Sequence, residues 1–75
     1  MAAEPFGTRL RSLRESAGMT LAELAQKLCV ESSALSRWER NFIVPGMTLI
    51  EQLAIILRVS TLELLTGKSP KPPGS

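Results

Sequence analysis

The 75-residue chain contains no histidine, no aspartate and no tyrosine, and only one cysteine, Cys29. Without histidine or a second thiol, a zinc site has no ligand set, and no disulfide can staple the chain. A hydrolytic or transfer enzyme is excluded on the same ground, because nothing here pairs a nucleophile with a base. No apolar run approaches the roughly 20 residues that span a bilayer. The longest, residues 53–57, is too short even for a signal-peptide core. One unpaired cysteine and no secretory segment point to a reducing cytoplasm. No cofactor and no membrane partner are expected.

Seventy-five residues make one domain with a thin core. All seven acids are glutamates, against nine Lys and Arg, for a net charge of +2. That sum says little about nucleic acid, whose partners gather positive charge on one face. Six of the nine cations are arginines, suited to bidentate contacts with phosphate or guanine.

The pattern predicts an all-α fold of five helices. Leu10, Leu13 and Ala17 recur at helical spacing after Pro5, and Gly18 closes this first helix. Thr20 and Glu23 form a capping box that opens a second helix over residues 21–28. A third runs from Glu31 or Ser32 to Arg40 and ends at Asn41, a residue that tolerates a left-handed backbone. Residues 41–47, with Pro45-Gly46, form a loop. A fourth helix follows over residues 48–57. Ser60 and Glu63 make a second capping box for a short fifth helix that stops at Gly67. Residues 1–67 form the domain, and residues 68–75, with three prolines and nothing apolar, read as a disordered tail.

The three-residue gap between the second and third helices is the short turn of a helix-turn-helix, which offers its second helix to the DNA major groove. On a wheel of about 100° per residue, Ala34, Leu35, Trp38, Glu39 and Phe42 share one arc, which should face the core. Ser32, Ser33, Ser36, Arg37 and Arg40 share the other. On composition alone such a face is an ordinary solvated one. Small serines also permit close approach to base edges, and Arg37 can fork onto a guanine.

Four stretches in order decide between these. Residues 9–14 (RLRSLR), 18–25 (GMTLAELA), 35–40 (LSRWER) and 59–65 (VSTLELL) together resemble the lambda-repressor/Cro-like helix-turn-helix family over residues 6–66. The resemblance implies a five-helix domain binding double-stranded DNA as a homodimer, in a regulator such as a repressor of a phage, restriction-modification or similar small operon acting on a palindromic operator. It implies that Ala25 lets the second and third helices cross closely, and that Leu35 and Trp38 are core. Arg14 and Glu39 match a family ion pair between the first and third helices. Ser32, Ser33, Ser36 and Arg37 match base-contacting positions, and Arg40 and Asn41 phosphate-contacting ones.

The departures are informative. Leu21 stands where the family favours a polar phosphate ligand, so that contact is lost or passes to the backbone amide at a helix N-terminus. Cys29 and Arg58 replace turn glycines, which strains a left-handed backbone at Cys29 or alters the turn. The thiol reads as buried and inert, with a redox switch as the alternative. Phe42, Ile43 and Val44 replace a polar loop and either cap the core or form a protein-partner surface, as in an antitoxin or interaction module. Ile55 and Leu62 are aliphatic where the family is polar. They read as a dimer interface on the fourth and fifth helices, with ordinary core as the alternative.

Overall fold

The computed structural model describes residues 4–67, within which Pro5 starts the first helix. With φ −61° and an extended ψ of 154°, it is the N-cap of α1, Phe6–Ser16. Then follow α2, Leu21–Leu28; α3, Ser32–Glu39; α4, Met47–Leu57; and α5, Thr61–Thr66. The domain is all-α with the five helices expected, and α4 begins one residue early, with Gly46 as its N-cap. The expected tail, residues 68–75, and the first three residues of the expected domain lie outside the described residues. Among the described residues no helix is long and apolar enough to cross a membrane.

The capping box of α2 is complete: Glu23 N–H donates to Thr20 Oγ1 at 3.1 Å, and Thr20 N–H to Glu23 Oε1 at 2.8 Å. At α5 only one arm forms, Glu63 N–H to Ser60 Oγ at 2.9 Å. Four helices end in the same way, on a left-handed residue whose successor bonds back five residues. Gly18, Cys29, Asn41 and Arg58 hold φ of 74°, 60°, 65° and 60°. The bonds are Met19 N–H to Arg14 O, Val30 N–H to Ala25 O, Phe42 N–H to Arg37 O and Val59 N–H to Ala54 O. Cys29 therefore keeps the glycine-type turn unaltered, in a conformation its side chain disfavours.

Each helix contributes one fully buried leucine to a single core: Leu10, Leu24, Leu35, Leu53 and Leu64. Leu28, Trp38, Ile50 and Leu57 surround them, with Ala25 and Ala54 buried among them. Packing runs α1 on α3 and α5, α2 on α3 and α4, and α4 on α5.

Two expectations fail. Phe42 is not core: it is 64% exposed. The wheel that put it on the apolar arc stops applying once Asn41 leaves the helical conformation. Cys29 is exposed rather than buried, because the left-handed turn between α2 and α3 lies at the surface.

Candidate nucleic-acid interface

Helix α3 has only eight residues and no side-chain N-cap bond from Glu31. Its placement depends on what it packs against. Leu35 and Trp38 are buried, Ala34 and Glu39 half-buried, while Ser32, Ser33 and Arg37 are exposed. Ser36, expected on the open face, is half-buried at its edge. Ala25 is buried on α2, and the bond from Val30 to its carbonyl closes the turn between the two helices.

The C-terminal end of α3 is braced from α1 in two places. Arg14 Nε donates to Glu39 Oε2 at 2.7 Å and Nη2 to Oε1 at 3.1 Å, a bidentate pair with both side chains nearly buried. Arg14 Nη1 also donates to the Met19 carbonyl at 2.8 Å, so its charge and donors are satisfied internally. The hydrogen bond to Glu39 raises the Arg14 pKa above its ordinary value, against burial, which lowers it. The second brace is the Gly7 N–H, which donates to Asn41 Oδ1 at 2.8 Å. Pro5 offers α1 no side-chain cap, so Asn41 caps it from 34 residues away. The approach is close enough to require glycine: a Cβ on Gly7 would collide with the carbonyl oxygens of Trp38 and Glu39.

Asn41 therefore spends its amide oxygen on α1, and the donors of its side chain are those of the NH₂ group. Arg40 is exposed, and its guanidinium carbon lies 4.8 Å from the centre of the Phe42 ring. Leu21 is half-buried against the core, leaving the α2 N-terminus to its backbone. Leu24 makes the first helical bond there, to the Thr20 carbonyl, so the Leu21 and Ala22 amides are free of the helix ladder.

The arginines divide by role. Arg9 and Arg14 are buried, and Arg11 pairs with Glu15 at 3.2 Å. Arg37 and Arg40 lie exposed at one end of α3. The net charge of +2 thus understates the positive character of this end. Arg9 carries a role that sequence reasoning missed. Its Nη1 donates to the Leu64 and Leu65 carbonyls, both at 3.1 Å, and its Nη2 to the Glu4 carbonyl at 2.9 Å. It caps the C-terminal end of α5 and fastens α5 to α1. The available signal was its place at the edge of the apolar arc of α1, beside Leu10 and Leu13. On α4 and α5, Ile55 is 76% and Leu62 48% exposed, so neither is core. Ile43 and Val44 are exposed like Phe42.

Comparison with known proteins agrees with this geometry. A family model described as a helix-turn-helix domain matches residues 5–67. The HTH-type transcriptional regulator SinR of Bacillus subtilis (strain 168) is 38% identical over 64 residues, covering 84% of this chain and 58% of SinR. The P22 c2 repressor, solved with synthetic operator 9T, superposes with a TM-score of 0.81 at 29% identity, over 87% of this chain and 98% of that one. The restriction-modification controller protein C.AhdI of Aeromonas hydrophila gives 0.75 at 32% identity, over 80% and 91%. The chain spans about half the length of the first curated relatives it matches.

Proposed function

This chain belongs to the lambda-repressor/Cro-like helix-turn-helix family, and on that premise we propose that it is a sequence-specific transcriptional regulator that binds a palindromic operator as a dimer. The observation that carries the proposal is the division of α3, with Leu35 and Trp38 buried on one side and Ser32, Ser33 and Arg37 open on the other. In this reading α3 enters the major groove. Ser32, Ser33, Ser36 and Arg37 meet base edges, with Arg37 forked onto a guanine. Arg40, the Asn41 NH₂ group and the amide end of α2 at Leu21 hold phosphates and set the register. One such helix contacts too little DNA for useful specificity, so two copies joined through Ile55 and Leu62 read half-sites one helical turn apart. The similarity to the P22 c2 repressor, solved with a synthetic operator, and to a restriction-modification controller supports an autoregulating repressor of a small operon.

The test is a gel-shift titration of the full chain on the DNA upstream of its own gene, at two salt concentrations. Tight, sequence-selective binding with a two-protomer step is expected, and Ile55→Glu should reduce it to weak one-protomer binding. Weak, salt-erased binding to any duplex would reject the proposal. That outcome would favour a protein-interaction or antitoxin role, for which the exposed Phe42, Ile43 and Val44 are the supporting observation.

A further inference from the structure

We infer that Phe42 is a positioning residue for Arg40, which makes the apolar loop after α3 part of the DNA-binding surface; this rests on the proposed function above. The Arg40 guanidinium carbon sits 4.8 Å from the Phe42 ring centre. Phe42 is 64% exposed, so the core has no use for the ring where it stands. The backbone that carries both side chains is fixed. Arg40 N–H bonds to Ser36 O at 2.9 Å, Asn41 N–H to Trp38 O at 3.2 Å and Phe42 N–H to Arg37 O at 3.0 Å. Asn41 is held in turn by Gly7. The two backbone positions from which the ring and the guanidinium project are therefore fixed, whatever the loop beyond Phe42 does.

The chemistry of the contact suits a residue that must stay available. A guanidinium offers a flat face to an aromatic ring and keeps its five N–H donors on its edge. A carboxylate partner would hold the side chain equally well, but would neutralise it and occupy those donors, as Glu39 does to Arg14. None of the ion pairs among the described residues involves Arg40. The ring holds the arginine while leaving its charge and its donor edge to a phosphate. Ordering a long side chain on binding is a recurrent cost of association, and a side chain ordered beforehand avoids part of it.

The experiment is a double-mutant cycle on affinity for the duplex upstream of the protein's own gene, using the full chain. Phe42→Leu should weaken binding about two- to tenfold per half-site. Sequence preference and salt slope should stay as they are, since the arginine still reaches its phosphate. Phe42→Tyr should restore affinity. In an Arg40→Ala background Phe42→Leu should cost nothing further. The melting temperature of Phe42→Leu should match the wild type, which separates positioning from folding. Unchanged affinity in Phe42→Leu, or an equal loss in the Arg40→Ala background, would overturn the assignment alone. A wild-type chain that binds no DNA would overturn the proposed function and this assignment together.

Discussion

Replacing Cys29 with glycine should stabilise the protein. Cys29 holds φ 60° and ψ 40°, where an L-residue is disfavoured by about 1–2 kcal/mol. Glycine removes that strain but loses about 0.5–1 kcal/mol in additional chain entropy on folding. The thiol is exposed and gives up little packing on removal. The two ranges leave a net gain centred on about 0.75 kcal/mol, which for a domain of this size raises Tm by roughly 3–6 °C. Urea denaturation in reductant should show a higher midpoint with an unchanged slope. Asn41→Gly is the control, because φ there is nearly the same, 65°. Asparagine tolerates this conformation better, and its Oδ1 is the partner of Gly7 N–H. Removing it leaves that buried amide unpaired, a loss of about 1–3 kcal/mol. Opposite signs are therefore expected at two positions of like backbone. If Cys29→Gly is no more stable than wild type, or if Asn41→Gly stabilises as much, the strain account is wrong.

The other outcomes concern the site and its bracing. Arg37→Ala should cost about 1–3 kcal/mol of operator binding and relax preference at one base position. Arg40→Ala should weaken every sequence alike and shallow the salt slope by about one per protomer; competition with operator variants separates the two. Glu39→Ala should destabilise by about 3–5 kcal/mol, because it leaves Arg14 buried without its anion; a urea midpoint close to wild type would count against the brace. The pKa of Glu23 is lowered by its bonds to the Thr20 backbone amide and hydroxyl. Its contribution is present above the unfolded value and is lost as pH falls through the lower folded one. An NMR titration of the Glu23 carboxyl should give a midpoint below the ordinary 4.5, and Thr20→Ala, which removes the hydroxyl but keeps the backbone amide, should bring it only part of the way back up.

Features legible in the sequence were those whose cause is local. Thr20 and Glu23 lie three apart and cap the same turn, and Gly18 and Gly67 end helices through their own backbone freedom. The two faces of α3 follow from a period of 3.6 within eight residues. Where the cause was distant, or the helix had ended, the pattern misled or was silent. The wheel puts Phe42 on the core arc only by being carried past Arg40, although Asn41 turns the chain there, so of the two readings of the loop the core cap fails. Cys29 was assigned to the interior on the general burial of free cysteines, although the turn it occupies is at the surface. Arg9 was passed over because its partners are carbonyls 55 and 56 residues away, which carry no side-chain signature. Asn41 was assigned to a phosphate and not also to Gly7 for the same reason. The Arg14–Glu39 pair was legible only through resemblance to a family, since nothing local joins residues 25 apart.

The long-range contacts explain how an eight-residue helix can serve as a rigid reading head. Alone, a helix of that length without a side-chain N-cap would be unstable in water. Here every tie that holds it leaves from its inner side or its ends. Leu35 and Trp38 enter the core, Glu39 pairs with Arg14, Asn41 holds Gly7, and Val30 fastens the preceding turn to Ala25. None of these ties uses Ser32, Ser33 or Arg37. Apart from Ser36, half-buried at the edge, and Asn41, which also holds Gly7, the residues proposed to contact DNA are therefore not the residues that keep the helix in place, and Ser32, Ser33 and Arg37 can be altered independently of its bracing. Exchanging Ser33 and Arg37 for other polar residues should change which duplex is bound while folding stability moves by no more than ordinary surface substitutions allow, about 0.5 kcal/mol each in either direction. Coupled losses of stability and of sequence preference at those positions would mean that the open face of α3 also supports the fold.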